Sequence, residues 1–242
     1  MAGHKVTIGS GDSKFEFESK KDAKAYCKNL LGRYRNNQTV NEEDTQFLQS
    51  LLERHPDAVQ KIGCGVKRFF RAGTGVGTDC FWVERMDGSK TDFSYIACVD
   101  ARSKSLYQKF AEACRQSVQQ QLDKAKEQHF DKHGDAQGKV KCEVTGELVG
   151  KDESHLDHKK PMTFQVIVHT FIIANNIQIS SDMLSPSKDA QFVTTFVDKD
   201  IERRFQEYHA KVAQLRILKT SANLSLGGQE RITEAKQPVL LR

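Results

Sequence analysis

The chain has no apolar run long enough to cross a membrane. Its longest, Phe164 to Ile173, is broken by Gln165, His169 and Thr170, whereas a membrane helix needs about 20 predominantly apolar residues. The opening Met-Ala-Gly-His-Lys-Val-Thr-Ile lacks the apolar segment of a secretory signal. A cytoplasmic, reducing setting with no membrane partner is therefore expected. Cys-x-x-Cys pairs are absent too: the six cysteines, at 27, 64, 80, 98, 114 and 142, are never closer than 16 residues. That spacing excludes a zinc ribbon or a thioredoxin-type redox motif and predicts mostly buried, reduced thiols. A strong charge excess is missing as well. The 37 basic and 32 acidic side chains leave +5, which permits a phosphate-bearing partner without demanding one.

What is present reads as an ordinary globular chain of 242 residues, 38% hydrophobic and 29% charged, long enough for two small domains or one large one. Lys5–Gly9 and Phe15–Phe17 look like short strands. Ser19 caps a helix expected over about 20–35, and Asn41 opens another that ends at Pro56. Val66–Phe70, Cys80–Arg85 and Thr91–Tyr95 follow as strands, with Asp87-Gly88 as a hairpin turn. The glycine-rich stretch Ala72–Thr78 lacks the Gly-Lys-Ser/Thr ending of a phosphate loop, and no helix pattern follows it. A strand connection is the expectation there. Leu106, Phe110, Cys114, Val118 and Leu122 recur every four residues and predict one long helix from Ser103 to about Gln128, followed by a linker at 133–139.

The first hundred residues carry a resemblance. Ser19-Lys20, Ala23, Tyr26, Leu51-Leu-Glu-Arg-His-Pro56, Lys61-Ile-Gly-Cys-Gly65, Cys80-Phe81 and Arg85-Met-Asp-Gly-Ser89 through Tyr95 resemble the DCL (defective chloroplasts and leaves) domain over about residues 13–100. In plants such domains are associated with plastid ribosomal RNA processing and with the largest subunits of silencing RNA polymerases. The resemblance thus implies a nucleic-acid setting and supplies no chemistry.

The second half holds the chemistry. Val140–Gly146 reads as a strand ending in a turn, and Ser154–His158 as its hairpin partner, stopped by Lys159-Lys-Pro161. Helices are expected from about Thr163 and from Asp198 to Val212. Cys142-x-x-Thr145-Gly146, Asp157-His158-x-x-Pro161 and the later Gln214-Leu215, Leu218 and Asn223 resemble the HNH, or His-Me finger, nuclease fold, with helices inserted between its halves. The resemblance implies that His158 is the general base, and that Asp157 and Asn223 hold one divalent metal, Mg²⁺ or Mn²⁺. Gln214 stands where the family has the Asn that braces the hairpin. Lys219 and Ala222 replace the cysteines of a zinc knuckle, so no structural zinc is expected.

Such a trio suits phosphodiester hydrolysis. A neutral imidazole can take a proton from water near pH 7, and a hard cation on carboxylate and amide oxygens supplies a Lewis acid. Lys159, Lys160, Arg216 and Lys219 are candidates for gripping a nucleic-acid backbone. His155 is expected as a solvated strand residue, His169 as a core or interface histidine, and His209 as solvent-facing. The tail from Gly227 onward is expected to be an extended arm.

The resulting expectation is an α+β protein. A DCL-like domain at 1–100, a connecting helix and linker at 101–138, and a ββα-metal (HNH) finger domain with a helical insertion at 139–242 make it up. The expected partner is nucleic acid, with DNA favoured over RNA; double-strand cutting would suit a homodimer. The rival is a non-catalytic RNA-binding or RNA-processing factor with a degenerate finger, and a purely structural scaffold is a third reading.

Overall fold

A computed structural model describes residues 5–11, 14–74, 77–186, 188–189 and 193–226; the expected arm after Gly227 lies outside them. The chain divides into two units, Met1–Lys104 with Ser187–Phe192, and Ser105–Pro186 with Val193–Arg242. Both mix helices and strands, so the protein is α+β. None of the described helices is long and apolar enough to cross a membrane.

In the first unit, β1 (Val6–Ile8) pairs antiparallel with β2 (Phe15–Phe17). Ser19 and Asn41 accept hydrogen bonds from Asp22 N and Asp44 N, capping α1 (Lys20–Gly32) and α2 (Glu42–Glu53) where the sequence predicts. Cys27, Leu30 and Leu31 of α1 meet Phe47, Leu48, Leu51 and Leu52 of α2 in one core. After α3 (Ala58–Ile62), the strands β3 (Val66–Gly73), β4 (Asp79–Arg85) and β5 (Lys90–Phe93) form an antiparallel sheet, to which Phe69, Phe81, Val83 and Phe93 give their inner face. The glycine-rich stretch does join two strands, and residues 75–76 of it lie outside the described set. Arg85 is buried under α3. Its guanidinium donates to the carbonyls of Gln60 and Lys61, to Ser89 Oγ and to both carboxylate oxygens of Asp189. The unit ends in α4 (Tyr95–Asp100).

The second unit departs from expectation in two places. The single long helix is two, α5 (Leu106–Ser117) and α6 (Gln119–His133), parted at buried Val118. The physical reason lies in the spacing: residues four apart on a helix advance by about 40° beyond a full turn. Five in a row would carry the apolar stripe off the core, and the break resets it. α5 belongs to this unit's core. There Phe110, Cys114 and Val118 pack with Ile167 and Phe171 of α7 (Phe164–Ala174) and Phe205 and Tyr208 of α8 (Lys199–Val212). Thr163 and Asp198 cap α7 and α8 at the predicted starts.

The hairpin is the second departure. β6 (Val140–Lys141) pairs with β7 (Leu148–Val149), not with Ser154–His158. Within the turn between them Cys142 Sγ accepts the N–H of Thr145 at 3.4 Å, and it also accepts that of Lys219, distant in sequence, at 3.2 Å. β8 (Ser154–His158) instead pairs antiparallel with β9 (Leu215–Lys219), and α9 (Thr220–Leu226) follows directly. Phe130, Val140, Cys142, Val149, Ile217 and Leu218 form the small core beneath.

Phe205 is fully buried between Phe164, Phe171 and His209. Phe205→Ala should destabilise the second unit by about 3–5 kcal/mol. Hydrogen exchange should show lost protection in α7 and α8 while the α2 amides keep theirs.

Candidate functional site

Strand periodicity puts His155 and Asp157 on one face of β8 and Ser154, Leu156 and His158 on the other. The register sets His155 opposite Leu218, Asp157 opposite Arg216 and His158 opposite Leu215. Lys159 N donates to Gln214 O at 2.7 Å, extending the ladder one step. Gln214 therefore braces the strands through its main chain. Its side chain is exposed, and its amide has no hydrogen-bond partner among the described residues, so the expected side-chain bracing is not what the structure shows.

Asn223 sits on α9, where its Nδ2 and His155 Nδ1 lie 3.0 Å apart. His155 is thus a partner of the predicted ligand rather than a solvated bystander. Its place two residues before Asp157, on the same strand face, is a signal the sequence did contain. Asp157 Oδ2 accepts from Arg216 Nε at 2.9 Å and lies 2.8 Å from Arg216 Nη2. Lys159 pairs with Glu143 at 2.7 Å and Lys219 with Glu147 at 2.8 Å. Arg216, Lys159 and Lys219 are each matched by a carboxylate, and the side chain of Lys160 is exposed.

His158 is buried, and its Nε2 lies 2.9 Å from Nε2 of His209 on α8. Expected in solvent, His209 is only 2% exposed. The α8 stripe Ile201, Phe205, Tyr208, His209 and Val212 makes its position an inward one. His169, expected in a core or interface, is instead exposed on α7. Both imidazoles of the pair are held well below the ordinary histidine range. Burial is the main cause, followed by the charge of Arg115 and, for His158, by His209. Two neutral rings joined through Nε2 must be opposite tautomers, one donating and the other accepting.

Arg115, His158, Asp157, Phe164 and Asn223 line one cavity of about 480 Å³, within the size range of small-molecule sites. The Arg115 guanidinium lies 4.9 Å from the Phe164 ring centre. Its Nη1 is buried without a hydrogen-bond partner among the described residues, an arrangement that costs on the order of 1–3 kcal/mol or more for a charged group. Nothing in its sequence neighbourhood marks Arg115, because only the fold of α5 against β8 gives it these neighbours.

No three His, Cys, Asp or Glu side chains among the described residues gather as a metal site. A cation here would rest on two oxygens. Arg216 takes Asp157 Oδ2, leaving Oδ1, and the turn of the Asn223 Nδ2 towards His155 leaves the amide Oδ1. A hard ion that keeps most of its water fits such a sparse set.

The family model described as "Protein of unknown function (DUF3223)" matches residues 28–99. The chain is 42% identical over 73 residues to DNA-directed RNA polymerase IV subunit 1 of Arabidopsis thaliana, covering 30% of this chain and 5% of that protein. It is 30% identical over 86 residues to Protein DCL homolog, chloroplastic, of the same plant, covering 34% and 39%. A solution structure of an uncharacterized protein from Rhodospirillum rubrum is 48% identical, covering 35% of this chain and 81% of that one, with a TM-score of 0.33. The chain spans well under half the length of the two plant relatives. Its amino-terminal part carries a DUF3223, DCL-like domain.

The histidine pair predicts a pH dependence. Depressed folded values mean that the native state binds fewer protons than the unfolded chain, whose histidines titrate near 6.5. The stabilisation is complete above about pH 6.5 and falls as pH drops towards the folded values, by up to about 2 kcal/mol per imidazole at pH 5. Urea unfolding at pH 7.5 and 5.0 checks this, and His209→Asn should reduce the difference.

Proposed function

We propose that the second unit is a metal-dependent endonuclease of the HNH type that hydrolyses phosphodiester bonds, with DNA the favoured substrate. The observation that carries this reading is that Asp157, His158 and Asn223, on two separate elements, line one cavity. The order β8, β9, α9 and the pairing of the two strands support it.

In this reading His158 donates its Nε2 proton to His209, which keeps the Nδ1 lone pair of His158 available to accept a proton from water. The hydroxide oxygen bonds to phosphorus as the bond from phosphorus to the 3′ oxygen breaks, leaving 5′-phosphate and 3′-hydroxyl ends. Mg²⁺ or Mn²⁺, when bound, supplies Lewis-acid stabilisation of charge on the phosphate and leaving oxygen. Asp157 and Asn223 would hold it, with His155 orienting the Asn223 amide and Arg216 orienting the Asp157 carboxylate. The low basicity of His158 limits it at neutral pH to a weak base whose conjugate acid is strong, ready to return the proton. The first unit would contribute nucleic-acid association, a role in keeping with the printed name of its polymerase relative.

The second reading, a non-catalytic RNA-binding or RNA-processing factor, has one specific observation in its favour. The carboxylate expected to hold the metal is already neutralised by Arg216. A cleavage assay separates the two. Supercoiled plasmid, single-stranded DNA and structured RNA are incubated with Mg²⁺ or Mn²⁺, with EDTA as control. Metal-dependent cutting is expected, and His158→Ala should lower the rate about 10²–10⁴-fold. Binding without cutting by folded protein would favour the second reading.

A further inference from the structure

The cavity contains a guanidinium that the metal-and-base scheme does not use. Arg115 comes from α5, outside the β8–β9–α9 arrangement, yet it borders the same space as Asp157, His158 and Asn223. Its carboxylate neighbours are engaged elsewhere. Asp157 Oδ2 holds Arg216, and Glu112, also on the cavity wall, accepts from Thr194 Oγ1 at 2.8 Å. One face of the guanidinium rests on Phe164, and Nη1 is left buried without a partner among the described residues. Native structures keep few buried unpaired donors, and each calls for an explanation.

We propose that Arg115 is a phosphate-binding residue: its guanidinium takes the oxygens of a phosphodiester group that enters the cavity, beside His158. A planar fork of N–H donors matches phosphate oxygens in pairs, and an anion there completes the bonding that the fold leaves unmade. The inference deepens the nuclease reading and rests on it for the identity of the phosphodiester. It adds a charge that would follow negative charge as it builds on the phosphate.

The test uses the full chain in EDTA, so that nothing is cut. A 5′-phosphorylated thymidine dinucleotide is titrated in, and binding is followed by calorimetry and by the Arg115 Nε–Hε NMR signal. The Arg115 signal should shift on addition. Arg115→Met should weaken binding at least tenfold, with Arg115→Lys losing less because it keeps the charge but not the fork. Arg115→Met should also melt at or above the wild-type Tm, since it removes a buried unpaired charge and keeps apolar packing; an arginine with a merely structural role would give the reverse. No binding by the wild type at millimolar dinucleotide overturns the proposal, as does a folded Arg115→Met protein that binds as tightly as the wild type. Cleavage is read separately. A wild type that binds the dinucleotide but cuts nothing removes the nuclease reading and leaves the phosphate site standing.

Discussion

Antiparallel pairing of β8 with β9 joins residues that α7 and α8 separate along the chain, and the Asp157–Arg216 and His155–Asn223 contacts of the site depend on it. The five-residue register aligns Asp157 with Arg216, and the sharp entry into α9 then brings Asn223 back to His155. Two short strands alone would be marginal. This pair is held from below by Ile217, Leu218, Val140 and Val149, and at its far ends by the α5, α7 and α8 core. Lys126 adds a tie, its Nζ donating to the carbonyls of Lys151 and Ser154 at the start of β8.

Much of this was legible because it depends on local chemistry. Ser19, Asn41, Thr163 and Asp198 cap helices where short polar side chains precede apolar periodicity. The Asp-Gly turn and the alternating strands of the first unit follow from the same kind of signal. Of the site, Asp157, His158 and Asn223 stood out only through the resemblance of the second half to the HNH fold, and all three line one cavity. What was not legible depends on which distant element lies opposite. Ser154–His158 can pair with any extended segment, and nothing local prefers β9 to the strand just before it. His209 was misjudged although its stripe on α8 pointed inward, because a histidine reads as polar while its neutral ring packs as an aromatic. Arg115 had no signal at all, since a single arginine on an amphipathic helix is ordinarily solvated.

The stripe spaced by four residues in α5 and α6 shows how tertiary packing overrides a periodic reading. The spacing is right for a helix and wrong for a straight one of that length, so the chain bends its pattern to the core at Val118. A consequence reaches the site. With α5 packed against α8 and α7 rather than extended away, Arg115 is carried to the cavity wall, one residue after buried Cys114.

The charges around the cavity then make a consistent set. Burial and Arg115 disfavour protonation of His158 and His209, so the pair stays neutral and shares a single proton between facing nitrogens. The same burial lowers the proton affinity of Arg115 itself, against the opposing pull of Asp157. The Asp157 carboxylate thus answers to two guanidiniums, Arg216 and Arg115. An incoming phosphodiester would supply the missing negative charge, and as it did so it would lessen the electrostatic penalty on the imidazolium that proton transfer creates. Arg115 therefore ties the electrostatics of the histidine pair to the charge of whatever enters the pocket, since burial and this guanidinium are what hold both imidazoles neutral.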